Sequence, residues 1–172
     1  MELLLQNKLG TATITVTSKD DESLSEIVTV KVGAPLEVNE SNLKECEGYG
    51  TKHWVTWNPL IFHVDATGYM SGRAAYYVEI PSGYNAIYAE ISECNGVSTC
   101  CFVGDGDMTI DAVWNLQQNA PIVGRRSNGA AKPKGELKIP EEYQSPKFIF
   151  HPGSNGGVSN YVTWGKLLLL KD

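Results

Sequence analysis

The first third of the chain opens with strict alternation of apolar and polar positions. In "TATITVT", residues 11–17, Ala12, Ile14 and Val16 fall on one face and the threonines on the other. The polar stretch "SKDDES" separates it from "EIVTVKV", where Val28, Val30 and Val32 oppose Ile27, Thr29 and Lys31. A period of two on either side of a polar turn predicts an antiparallel hairpin with one buried face. A lone hairpin is marginal in water, so this one is expected to pack on something. "GAPLEVNES" then reads as a linker or an edge strand, because Pro35 has no N–H for a central ladder.

From about residue 52 the strand signal is nearly continuous. "HWVTW", "LIFHVDA", "RAAYYVEI", "NAIYAEIS", "TCCFVG", "MTIDAVW", "APIVGR", "GELKI", "KFIFH" and "YVTWGKLLLL" are separated by Gly, Pro, Asn or Asp turns. Short strands at such spacing, with no convincing helical stretch, predict an all-β sandwich or barrel. "IPEEYQSP" has room for a single helical turn and no more. The expected architecture is an antiparallel jelly-roll β-sandwich of eight to ten strands over residues 36–172, preceded by the hairpin over residues 1–33.

Composition narrows the partners. Hydrophobic residues make up 42% and charged residues 20% of the 172, an ordinary globular balance. A net charge of −6 argues against nucleic acid or an anionic membrane surface as main partner. The basic cluster Arg125, Arg126, Lys132 and Lys134 is too short to change that. No apolar run approaches the roughly 18 to 20 residues of a membrane span, so membrane insertion is not expected. "MELLLQNK" has an acidic second residue and no small-residue cleavage site, so it does not read as a signal peptide. That leaves a trimmed precursor or a non-secretory route, such as virion assembly inside a host. Cys46, Cys94, Cys100 and Cys101 allow three pairings if all are bridged, and all four reduced is the preferred reading.

Catalytic and metal signatures each fail at a named residue. In "GVSTC" Ser98 is followed by Cys100 where a nucleophile elbow needs glycine. Twelve positions into "DGDMTIDAVWNL" stands Leu116 instead of the bidentate glutamate of an EF-hand. Asp105 and Asp107 could form a loose calcium site or a solvated turn. "NYVTWGKL" lacks the first glycine and the hydroxyl of a phosphate loop. His53, His63 and His151 are scattered singly, which suits hydrogen-bonded strand histidines better than a zinc site. Glu79 and Glu90 would suit a glycosidase only if they faced one substrate, and no polar cluster surrounds either in sequence. The expectation is a non-enzyme without metal or cofactor.

Aromatic residues carry the remaining signal, with four Trp and eight Tyr beside only four Phe. Parity places Tyr76, Val78 and Ile80 inward and Tyr77 and Glu79 outward on one strand. On the next, Ile87, Ala89 and Ile91 point inward and Tyr88, Glu90 and Ser92 outward. Paired across an "IPSGY" hairpin, Tyr77, Glu79, Tyr88 and Glu90 would form an aromatic platform rimmed by carboxylates, suited to sugar rings and hydroxyls. The alternative is that these tyrosines simply cover the sheet, where Tyr is favoured. Trp54 and Trp57 have opposite parity, so one is expected in the core and the other outside, and Trp114 reads as core. The polar loop 124–136 is a second place for recognition.

"GTATITVTSKDDESLSEIVTVKV" resembles the closing strands of bacterial immunoglobulin-like domains of the group 2 type, with the preceding strands absent. More loosely, "YYVEIPSGYNAIYAEIS", "GELKIPEEYQSPKFIFH" and "YVTWGKLLLLKD" resemble jelly-roll modules of phage fibre tips and carbohydrate-binding proteins. The resemblances imply a non-catalytic recognition or adhesion module for a cell-surface glycan, on a phage virion appendage or a bacterial surface adhesin. The competing expectation is a purely structural capsid or fibre subunit, whose aromatics would bury against sister subunits as in a homotrimer.

Overall fold

Strand alternation in the sequence becomes three antiparallel sheets in the computed structural model. It describes residues 9–49, 51–66, 72–95, 99–106, 108–109, 112–113, 122–123, 134–154 and 159–171. β1 (Gly10–Thr17) and β2 (Ser25–Val32) form a two-stranded sheet of their own, with Ile14 opposite Val28 and Ala12 opposite Val30. The turn between them is closed by Asp21, whose carboxylate accepts the N–H and hydroxyl of Ser23.

The remaining strands build a sandwich. β3 (Ala34–Pro35), β5 (Thr51–Thr56), β6 (Ile61–Ala66), β8 (Ala86–Asn95), β11 (Lys134–Lys138) and β13 (Ser159–Leu170) make the six-stranded sheet. Its order is β11-β8-β13-β6-β5, with β3 paired to the far end of β13. The opposing sheet runs β10-β9-β12-β7-β4, from β4 (Lys44–Tyr49), β7 (Gly72–Glu79), β9 (Thr99–Gly104), β10 (Ile122–Val123) and β12 (Lys147–Ser154). Among the described strands from β3 to β13, only β5–β6 and β9–β10 are successive in one sheet; each other successive pair lies in opposite sheets. That is jelly-roll connectivity.

Between the sheets lies an aromatic core. Phe62 stacks on Phe150 at 4.8 Å, and the Trp164 indole stands edge-on to Phe62, Phe148 and Phe150. Tyr76, Val78, Ile87, Ala89 and Ile91 complete it, with the parity read from sequence. Burial raises the Tyr76 phenol pKa well above its ordinary value, and the Glu45 charge adds to this.

A second apolar layer covers the outside of the five-stranded sheet. Cys46, Ala75, Phe102 and Ile149 point away from the main core, yet are buried beneath Met108 and Val113. The segment "MTIDAVW" is therefore not the expected strand. Thr109 caps a helical turn, its hydroxyl accepting the Ala112 N–H and its carbonyl the Val113 N–H. Cys46 and Cys101 are both buried.

Three further expectations are corrected. The sandwich has eleven strands among the described residues, more than the expected eight to ten, because β4 and the two-residue β3 join the sheets. "IPEEYQSP" forms turns rather than helix, with the Tyr143 N–H bonded to the Pro140 carbonyl. The hairpin's apolar face is not buried: Ile14 is 50%, Val16 56%, Val28 44% and Val30 38% exposed. An ion pair from Lys31 to Glu136 of β11, at 2.9 Å, ties the base of the hairpin to the six-stranded sheet. Trp114 and most of the 124–136 loop lie outside the described residues.

Candidate functional site

The expected platform of Tyr77, Glu79, Tyr88 and Glu90 is divided by the topology. β7 belongs to the five-stranded sheet and β8 to the six-stranded one, so outward residues on the two strands face opposite sides of the molecule. "IPSGY" is a crossover, not a hairpin turn. The Ile80 N–H bonds the Pro146 carbonyl on one side, and the Asn85 N–H bonds the Leu170 carbonyl on the other. Glu79 and Glu90 therefore cannot act on one glycosidic bond.

Tyr77 and Glu79 sit over the second apolar layer. Tyr77 is half-buried against it, and the Lys44 ammonium lies 5.7 Å from its ring centroid. Glu79 accepts from Lys44 at 3.2 Å and faces Lys147 at 4.0 Å. The ring and carboxylate are thus engaged with their own sheet. Tyr88 and Glu90 remain together on the outer face of the six-stranded sheet, the Tyr88 hydroxyl donating to Glu90 at 3.2 Å. Desolvation, then the Glu90 hydrogen bond and charge, raise the Tyr88 pKa. Glu136 stands opposite Tyr88 on β11, and Leu168 opposite it on β13.

The same outer face carries an aromatic row that the sequence did not assemble. β5 reads Lys52, Trp54 and Thr56 outward, with His53 and Val55 turned to the core side. The turn 57–60 returns the chain as β6, helped by Asn58, whose φ of 56° suits asparagine better than most residues. This register sets Trp54 opposite His63, and His63 opposite Tyr161 of β13. The indole and imidazole stack in parallel, 4.7 Å apart and 2° from coplanar, and Tyr161 continues the row at 6.4 Å.

Contacts around the row fix its chemistry. His63 Nε2 and Thr56 Oγ1 share a hydrogen bond of 2.9 Å. Burial lowers the His63 pKa, which keeps the ring neutral at neutral pH. The Lys52 ammonium lies 5.7 Å from the Trp54 ring centroid. Trp54 is 40% exposed, and among the described residues no other large hydrophobic of the sandwich is exposed. Trp57 sits half-buried in the turn, because the strand ends at Thr56 before parity can place it. The usable signal for this row was "WNP": a turn there pairs Trp54 with His63 by counting outward from it.

Among the described residues the histidines and Asp105 do not gather into a metal centre. His53 pairs with Glu45 between the sheets, His63 stacks on Trp54, and His151 is buried on β12. Among the described residues no group of three or more His, Cys, Asp or Glu could hold a metal ion. Asp105 instead clamps a loop, accepting the N–H groups of Gln144 and Ser145 at 3.0 and 2.8 Å. Asp107 lies outside the described residues. No helix among the described residues is long and apolar enough to cross a membrane.

No protein-family model and no curated protein sequence matches the chain. Among solved structures, it is similar to a family 29 carbohydrate-binding module from Piromyces equi, at 16% identity and a TM-score of 0.41, over 80% of this chain and 86% of that one. A second similarity is to a structure from work on the promiscuous specificity of carbohydrate-binding modules of the β-sandwich superfamily, at 15% identity and a TM-score of 0.48. It covers 92% of this chain and 74% of that one. A third is to the enzymatically active domain of tailspike protein 4 from bacteriophage CBA120, at 12% identity and a TM-score of 0.42, over 74% of this chain but 20% of that one.

Proposed function

We propose that this protein is a non-catalytic glycan-recognition module of a virion appendage or a bacterial surface adhesin. The outer face of the six-stranded sheet is its binding surface. The observation that carries this reading is the row Trp54–His63–Tyr161, which runs across three strands with Trp54 and His63 stacked and the indole open to solvent. A pyranose ring presents C–H groups that pack on an aromatic face, while its hydroxyls need hydrogen-bonding partners at the rim. On this face Tyr88 and Glu90 supply such groups nearer β11, and Asp65 and Thr56 supply them beside the row. On the opposite sheet, Tyr77 packs instead on the second apolar layer and Glu79 pairs with Lys44.

The hairpin serves attachment in this reading. Its exposed aliphatic face also favours a second reading, a structural subunit whose neighbours cover that face. Glycan-array screening followed by calorimetry separates the two. The wild-type protein is expected to bind a defined set of oligosaccharides, and Trp54→Ala to weaken that binding at least tenfold, or about 1.4 kcal/mol. Tyr88→Ala is expected to have the smaller effect. Absence of any glycan binding by folded protein, with concentration-dependent assembly in sedimentation, would transfer the assignment to the structural subunit.

A further inference from the structure

Resting on the glycan reading of this face, we infer that the preferred ligand at Trp54 is an acidic saccharide, whose ring stacks on the indole while its carboxylate meets Lys52. Three observations carry this. Among the described residues β5 is the edge strand of its sheet, so Trp54 has His63 stacked on one side and no described strand on the other. A ligand ring therefore approaches from the sheet's edge. Lys52 stands two residues away on the same outward face, its ammonium over the indole at 5.7 Å. Lys52 makes no ion pair among the described residues, although Asp65 is its register partner on β6. Asp65 is engaged with a partner of its own.

A cation held over an indole without an anion sets up a selection between ligands. A neutral sugar that stacks on Trp54 must displace the ammonium and lose its attraction to the ring. A sugar bearing a carboxylate keeps the ammonium in place and gains a charge-assisted hydrogen bond. Specificity is the difference between these two cases, and it comes as much from the penalty on the neutral ring as from the new bond. The neutral state of His63 leaves Lys52 as the cation of the row. The chain's net charge of −6 repels anions at long range, so the selection arises at contact and not by steering.

The experiment is a calorimetric comparison of matched neutral and uronic-acid oligosaccharides on the full chain, with Lys52→Gln and Trp54→Ala. The wild type is expected to favour the acidic member about tenfold. Lys52→Gln is expected to abolish that preference by weakening acidic binding and tightening neutral binding, and Trp54→Ala to weaken both. Equal affinity for the two sugars, or a preference that survives Lys52→Gln, overturns the acidic inference and leaves glycan recognition standing. Acidic binding that persists in Trp54→Ala and vanishes with salt also overturns it, since that is attraction of a polyanion without stacking. Failure of folded wild type to bind either sugar overturns the recognition reading together with this inference.

Discussion

Asp105 shows how much one side chain can organise in a fold built on turns. Its carboxylate ties the end of β9 to the 144–145 turn through two backbone N–H groups. Burial pushes its pKa up, but the N–H groups of Gln144, Ser145 and Gly106 and the Lys147 charge outweigh that and hold it below the usual range. A carboxylate with a depressed folded pKa contributes stability above its unfolded value of about 4, and that contribution is lost as pH falls through the folded value. Thermal melts should therefore show Asp105→Asn less stable than wild type at pH 7, by a few degrees, with a shallower loss of stability from pH 5 to pH 2. Parity read many such positions correctly: Ile87, Ala89 and Ile91 are inward and fully buried, and Tyr88 and Glu90 are outward. It failed at Tyr77 for a reason no local pattern contains. An outward position is solvent only if nothing else covers it, and here a segment some thirty residues later lays Met108 and Val113 across that face.

At the level of elements, each strand was more legible than its partner. "RAAYYVEI" and "NAIYAEIS" are β7 and β8 almost residue for residue, yet the short connection 80–85 led to a hairpin where the chain changes sheets. Short connections serve both outcomes, and the choice is made by distant strands: β12 and β4 flank β7, while β11 and β13 flank β8. β1 and β2 were legible in extent, and their β-branched pairs such as Ile14 and Val28 leave the register little freedom to slip. What the pattern could not reveal is that this chain leaves their aliphatic face open. Replacing Ile14 and Val28 together by threonine should therefore cost little, within about 1 kcal/mol for two exposed positions. It should also reduce dye binding and self-association measured by sedimentation. A loss of several kcal/mol in urea unfolding would show that the face is covered in solution.

On the scale of the whole molecule, stability resides where the two sheets meet. Phe150 touches Phe62, Phe148 and Trp164 and is fully buried. Phe150→Ala should cost about 3–5 kcal/mol in urea unfolding, because the ring leaves a cavity that crossing strands cannot collapse into. The overall class was readable because every segment carries the same period; the pairing order, set by contacts far apart in sequence, was not. Lastly, the joint between hairpin and sandwich is tight. At Gly33 an added Cβ would stand 2.8 Å from Leu170 Cδ2 and 2.9 Å from the Leu169 carbonyl oxygen. With Lys31 paired to Glu136 beside it, the two-stranded sheet meets the sandwich at two points. Such a joint would narrow the range of angles at which each copy presents Trp54 under the proposed glycan reading. An array of copies would then gain avidity only on surfaces whose sugars repeat at a matching spacing and tilt, and very little on others.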